Sequence, residues 1–174
     1  MHATGSPVFL IGYRGTGKTS VAHELATRLT CNGLDADDVI EQRAGKSIAR
    51  IFSEDGERAF RDLEAAIVEE LCGKAGLVVS LGGGAVLRES NRLAIRGAGP
   101  VVWLTASVDS IVARLAADKT TAHRRPNLTS AGGRAEIESL LNQRMPLYRE
   151  CATLIVDTEG KTVAQVADEI AARL

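Results

Sequence analysis

Short runs of consecutive apolar residues alternate along this chain with longer segments whose apolar positions recur at helical spacing. The first run, Val8-Phe9-Leu10-Ile11, leads into a predicted helix from about Gly17 to Leu29, with Val21, Leu25 and Leu29 at i, i+4 and i+8. Ile48, Ile51 and Phe52 predict a helix from near Ser47. Phe60, Leu63, Ile67 and Leu71 predict a longer one from about Asp55 to a stop at Gly73. Leu77 to Leu81 reads as a strand, residues 88–97 as a helix, and Pro100 to Thr105 as another strand. Ser107 is placed to cap a helix through Leu115. Residues 117–134 are polar, basic and glycine-containing, and read as a mobile loop. A helix over Ala135–Glu150, interrupted by Pro146, precedes a strand over Thr153–Asp157. A closing helix carries Val163, Val166, Ala167 and Ile170 on one face.

Strands that read as continuous apolar runs between amphipathic helices imply a parallel sheet covered on both faces. The expected fold is therefore a three-layer α/β domain spanning residues 1–174, with no internal repeat. In open sheets of this kind ligands bind beyond the carboxyl ends of the strands. The residues after each strand carry the chemistry.

Composition narrows the classes of function. The 174 residues are 45% hydrophobic and 25% charged, the balance of a globular chain. Lys and Arg number 21 against 22 Asp and Glu, a net charge of −1, so no basic nucleic-acid surface is expected. Cys31, Cys72 and Cys151 are too scattered for a disulfide framework or a zinc site, and each reads as a small buried side chain. No apolar run approaches the ~20 residues that span a bilayer, and residues 1–7 lack a signal-peptide core. The expectation is a cytoplasmic protein that engages neither membrane nor nucleic acid. Glycine stands out: 17 residues, against about 12 at the usual frequency of about 7%.

Several of those glycines fall in motifs. Gly12-Tyr13-Arg14-Gly15-Thr16-Gly17-Lys18-Thr19 matches G-x-x-x-x-G-K-[ST] between a predicted strand and a predicted helix, the setting the motif requires. There, glycines let backbone N–H groups converge on phosphate oxygens at a helix N-terminus. Lys18 supplies positive charge to the terminal phosphates and the Thr19 hydroxyl is placed to ligate Mg²⁺. The expected ligand is a nucleoside triphosphate.

Asp35-Ala36-Asp37-Asp38 follows the second strand. In an extended segment Asp35 and Asp37 would share a face, one holding a metal-bound water and the other accepting a proton; the same residues also read as helix caps. Arg61, beside the Phe60/Leu63 stripe, reads either as a solvated arginine or as one aimed into a cleft and held by Glu64 at i+3. Gly82-Gly83-Gly84 closes a strand, where three glycines in a row suit a main chain that meets a ligand, or a flexible turn. Arg124-Arg125-Pro126-Asn127 places two arginines in the loop, and Arg144 precedes Pro146 and Tyr148 on the next helix.

In this order, the phosphate loop, Asp35-Ala36-Asp37, Phe60-Arg61-Asp62-Leu63-Glu64, Gly82-Gly83-Gly84, Arg125-Pro126 and Arg144-x-x-x-Tyr148 resemble shikimate kinase, from about residue 8 onward. The resemblance implies a monomeric nucleoside-monophosphate-kinase-like fold, with a five-stranded parallel sheet in the order 2-3-1-4-5. It implies a phosphate loop at 12–19, substrate-binding helices over about 37–72 and a mobile lid over about 117–134. The implied reaction transfers the γ-phosphoryl group of ATP to the 3-hydroxyl of shikimate, with Mg²⁺.

By the same resemblance, Gly12, Arg14, Gly15, Thr16, Gly17, Lys18, Thr19 and Ser20 would bind ATP, with Arg125 closing from the lid and Lys161 lining the adenine pocket. Thr19, and Asp35 through water, would hold the metal. Asp37, Arg61, Gly82, Gly83, Gly84 and Arg144 would bind shikimate, and Lys18, Asp37 and Arg125 would be catalytic. The implied purine-stacking arginine falls at Arg114. The lid departs from the family's usual Arg-Pro-Leu-Leu, reading Arg125-Pro126-Asn127-Leu128, and Arg14 adds a charge with no assigned task. The rival is another small-molecule kinase of this fold, such as gluconate kinase. A GTPase is disfavoured because no Asn-Lys-x-Asp guanine signature is present.

Overall fold

The structure is a computed structural model that describes residues 5–118 and 133–174. Its first apolar run forms β1 (Val8–Ile11), at the centre of the sheet and at most 1% exposed. Successive side chains of a strand face opposite ways, and β1 divides accordingly. Val8 and Leu10 pack under α1 (Lys18–Leu29) and α8 (Val163–Ala171), with Val21, Leu25, Val166 and Ile170. Phe9 and Ile11 face the other layer, with Ile40, Ile67, Trp103 and Tyr148. Each such side chain contributes about 1.5–3 kcal/mol through burial.

That second layer is built from α2 (Ala36–Ala44), α3 (Ile48–Glu54), α4 (Gly56–Cys72), α5 (Glu89–Ala98) and α7 (Gly133–Cys151), while α6 spans Val108–Ala117. The remaining strands are β2 (Asn32–Asp35), β3 (Leu77–Ser80), β4 (Val101–Thr105) and β5 (Leu154–Asp157). All pairings are parallel, in the order β2-β3-β1-β4-β5. The three-layer fold and strand order are as expected. The edges β2 and β5 are only partly buried, which explains why Asn32-Gly33-Leu34-Asp35 carries so little apolar signal.

Ser47 and Ser107 cap α3 and α6 by accepting the amide hydrogens of Arg50 and Ser110. Two expectations are corrected. Asp37 is not in an extended segment: Asp35 ends β2 and its Oδ1 accepts the Asp37 amide at 2.9 Å, so the helix begins at Ala36 and Asp37 lies in its first turn. Nor does Pro146 interrupt its helix, because α7 runs through it. Proline there removes only the amide that would bond the Asn142 carbonyl, and both residues are exposed to water. Buried Arg144, Tyr148 and Cys151 hold α7 on either side of it.

The predicted lid falls almost wholly outside the described residues, together with Arg124 and Arg125. Among the described residues no helix is long and apolar enough to cross a membrane. Cys151 is fully buried, and burial, with Glu150 adding to it, pushes its thiol up to about 11. The thiol is then protonated at pH 8 and shielded from reagent. Treatment of the native protein with a thiol reagent, followed by mass spectrometry, should leave Cys151 unmodified while the unfolded chain reacts at all three cysteines. Equal labelling of Cys31 and Cys151 in the native state would contradict this placement.

Candidate active site

The carboxyl ends of β1, β2 and β3 open onto one cleft of about 220 Å³. Gly12 directly follows β1 with φ +140°, and a Cβ there would lie 2.5 Å from the Leu104 carbonyl oxygen. Only glycine fits that turn without moving backbone. Gly17 precedes α1, whose first turn has no side-chain cap and no acidic residue, so its amides and helix dipole remain for an anion. Thr16 Oγ1 and Lys18 Nζ donate to the Tyr13 carbonyl at 2.8 and 2.9 Å, closing the loop on itself. Arg14, Gly15, Gly17, Lys18, Thr19 and Ser20 line the cleft.

The sheet register sets Asp35 beside Ser80. Asp35 Oδ2 accepts a hydrogen bond from Thr19 Oγ1 and one from Ser80 Oγ at 3.3 Å. These three side chains place only hard oxygen atoms at the head of α1. That donor set fits Mg²⁺, which is held by one or two carboxylates together with substrate phosphates. Asp37 lines the same cleft from the first turn of α2, as do Gly82 and Gly83 after β3.

Arg61 and Arg144 lie against the triple glycine, at the edge of this cleft. A Cβ on Gly84 would come 2.6–2.9 Å from the Arg61 guanidinium, and one on Gly83 3.5 Å from Arg144 Nη1. Close approach of the Arg61 guanidinium leaves no room for a side chain at Gly84, whereas a Cβ on Gly83 would meet the Gly12 carbonyl oxygen first, at 3.3 Å. Arg61 is held by Glu64 at 2.8 Å and Glu57 at 3.4 Å, and its guanidinium lies 5.1 Å from the Phe60 ring centroid. Its side chain is only 12% exposed, so the solvated-arginine alternative does not hold. Tyr148 does more than pack: its hydroxyl donates to the Gly83 carbonyl at 2.6 Å and fixes the glycine arm to α7.

Two further residues assigned to the nucleotide are outside the lining of this cleft. Lys161, between β5 and α8, pairs with Glu169 at 2.7 Å and does not line the cleft. Arg114 donates to the Gly15 carbonyl at 3.4 Å and to Thr158 Oγ1 at 3.0 Å, tying the phosphate loop to the β5–α8 connection. Ser80, Ile48 and Asp118 line the cleft without having been singled out. Only the pairing of β2 with β3 reveals Ser80, and no local signal marks the others.

A strand–glycine loop–helix, an oxygen cluster at its threonine and a carboxylate across the cleft define a phosphotransferase of the phosphate-loop class. The shikimate kinase family model matches residues 14–174. A shikimate kinase of Rhodopirellula baltica is 46% identical over 163 residues, covering 94% of this chain and 87% of the relative. The solved structure of an Acinetobacter baumannii shikimate kinase in complex with shikimate superposes with a TM-score of 0.89 at 33% identity, covering 97% of this chain and 92% of that one. A Sinorhizobium meliloti gluconokinase, with a TM-score of 0.56 at 21% identity, shares the fold alone. The chain belongs to the shikimate kinase family and is an ATP-dependent kinase.

Proposed function

We propose that this single-domain chain transfers the γ-phosphoryl group of ATP to the 3-hydroxyl of shikimate. The observation that carries this reading is the convergence of the phosphate loop, Asp35 with Thr19, and Asp37 on one cleft backed by Arg61 and Arg144. In this reading the loop amides from Gly12 to Ser20 cradle the phosphates, and Lys18 leaves the Tyr13 carbonyl to follow negative charge onto the transferring group. Thr19, and Asp35 through water, would hold Mg²⁺, which when bound offsets the charge of the β- and γ-phosphates.

Asp37 orients the acceptor hydroxyl and takes its proton as the new P–O bond forms and the bond from the γ-phosphorus to the bridging oxygen breaks, with ADP as the leaving group. Arg61 and Arg144 face the shikimate carboxylate, whose two oxygens match the fork of a guanidinium, with Gly82–Gly84 reading the ring hydroxyls. Arg125 would close from the lid onto phosphate and Lys161 would border the adenine. The setting proposed with this activity is a monomer in the cytoplasm.

The decisive experiment is an ADP-release assay with MgATP and either shikimate or gluconate as acceptor. Turnover with shikimate should exceed that with gluconate by at least about 100-fold, because both acceptors carry a carboxylate and the discrimination comes from a site shaped to the hydroxyls of one of them. A preference for gluconate would reject the acceptor assignment while leaving the phosphate-loop chemistry in place.

A further inference from the structure

Arg14 sits in the middle of the phosphate loop, between Tyr13 and Gly15. It lines the cleft together with Asp37, Ile48 and Gly83, and its backbone nitrogen lies near Gly83. Its Nη2 stands 3.9 Å from Oε1 of Glu136, whose side chain has no exposed surface. Glu136 lies in the first turn of α7, where a negative charge is favoured by the helix dipole. The guanidinium of Arg14 is 6.0 Å from the centroid of the Tyr13 ring, and that of Arg144 is 5.8 Å from the same centroid. One buried aromatic ring therefore gathers two cations.

The backbone agrees: a Cβ on Gly83 would be 3.5 Å from both the Arg14 amide nitrogen and Arg144 Nη1. Two guanidiniums drawn this close to one ring repel each other in a partly dehydrated site, and a buried carboxylate offsets that repulsion. The design repeats the one at Arg61, which is held from the next helical turn by the buried Glu64. The buried Arg14 Nε has no hydrogen-bond partner among the described residues, so part of its fork is uncommitted.

We infer that Glu136 is a positioning residue that holds Arg14 over Tyr13, so that Arg14 joins Arg144 in recognising the carboxylate of the acceptor rather than the phosphates of ATP. The inference rests on the function proposed above. It also links the first turn of α7 to the middle of the phosphate loop, so that one helix orients both Arg14, through Glu136, and its own Arg144.

Initial rates of Arg14→Met, Glu136→Gln and the double variant, measured over a range of shikimate and of ATP, test it. Arg14→Met should raise KM for shikimate about tenfold, the usual scale for one charge-assisted contact, with KM for ATP changed less than about twofold. Glu136→Gln should move KM for shikimate in the same direction by a smaller factor, Glu136→Asp should recover part of the loss, and the double variant should be no worse than Arg14→Met alone. A rise in KM for ATP instead, or losses that multiply in the double variant, would overturn the inference. So would a Glu136→Gln enzyme with a lowered melting temperature and an unchanged KM, which is the signature of a purely structural residue. Wild-type turnover in the same assay separates the two levels. No phosphorylation of shikimate defeats the parent function, whereas wild-type turnover with an unmoved KM in Arg14→Met defeats only the role of Arg14.

Discussion

Replacement of Lys18 by alanine should lower kcat/KM by at least about 10³-fold, the loss expected when a fixed charge is withdrawn from a transferring phosphoryl group. Among the described residues the neighbouring cations are engaged elsewhere. Arg14 is directed to Glu136 and Tyr13, Arg61 to Glu64, and Arg114 to the Gly15 carbonyl and Thr158. Lys18 is buried and donates to the Tyr13 carbonyl, so its removal takes away one of that oxygen's donors and leaves Thr16 as the other. That local cost is about 1 kcal/mol on the scale of a single hydrogen bond, too small to unfold the domain. Steady-state rates together with a melting curve separate the two effects: a well-folded Lys18→Ala protein retaining more than about a tenth of wild-type turnover would contradict the assignment.

The second large effect should fall on the acceptor alone. Arg61→Ala and Arg144→Ala should each raise KM for shikimate about 100-fold or more, because removal of one member of a dehydrated ion pair costs about 2–5 kcal/mol. Binding of ATP, followed by titration with a fluorescent nucleotide, should change less than about threefold. The two variants should differ in stability. Arg61→Ala takes a 2.8 Å partner away from buried Glu64 and should lower the melting temperature, since a buried carboxylate then loses part of its compensation. Combining it with Glu64→Gln should recover much of that stability without recovering shikimate affinity. Parallel losses of ATP and shikimate binding in both arginine variants would contradict the division of the cleft into nucleotide and acceptor sides.

Much of this site is legible in one dimension because its parts are local. A phosphate loop is eight consecutive residues, and its glycines announce the positive φ angles that Gly12, Gly15 and Gly17 adopt. Capping is local too, which is why Ser47 and Ser107 were readable. The reading of Asp37 as extended failed over a boundary of one residue: side-chain capping by Asp35 starts α2 earlier than the apolar pattern does. Pro146 misled for the opposite reason, since a local rule about broken helices gave way to the buried contacts of α7 on both sides of it.

By itself, the sequence determined the alternation of strands and helices, the parallel three-layer class, the phosphate loop and the family, because each is written in short-range periodicity or in residues a few positions apart. What belongs to distance in the chain was decided only by tertiary structure. The register of β2 on β3 places Ser80 against Asp35. The packing of α4 on the glycine arm sets the Arg61 guanidinium against Gly84, and that of α7 ties Tyr148 to the Gly83 carbonyl. The ion pair between Arg14 and Glu136 joins residues 122 positions apart, the difference of their numbers, across a surface that no local pattern encodes. The physical reason is common to all three: a side chain's charge and volume are local properties, but the partner that satisfies them is chosen by the fold.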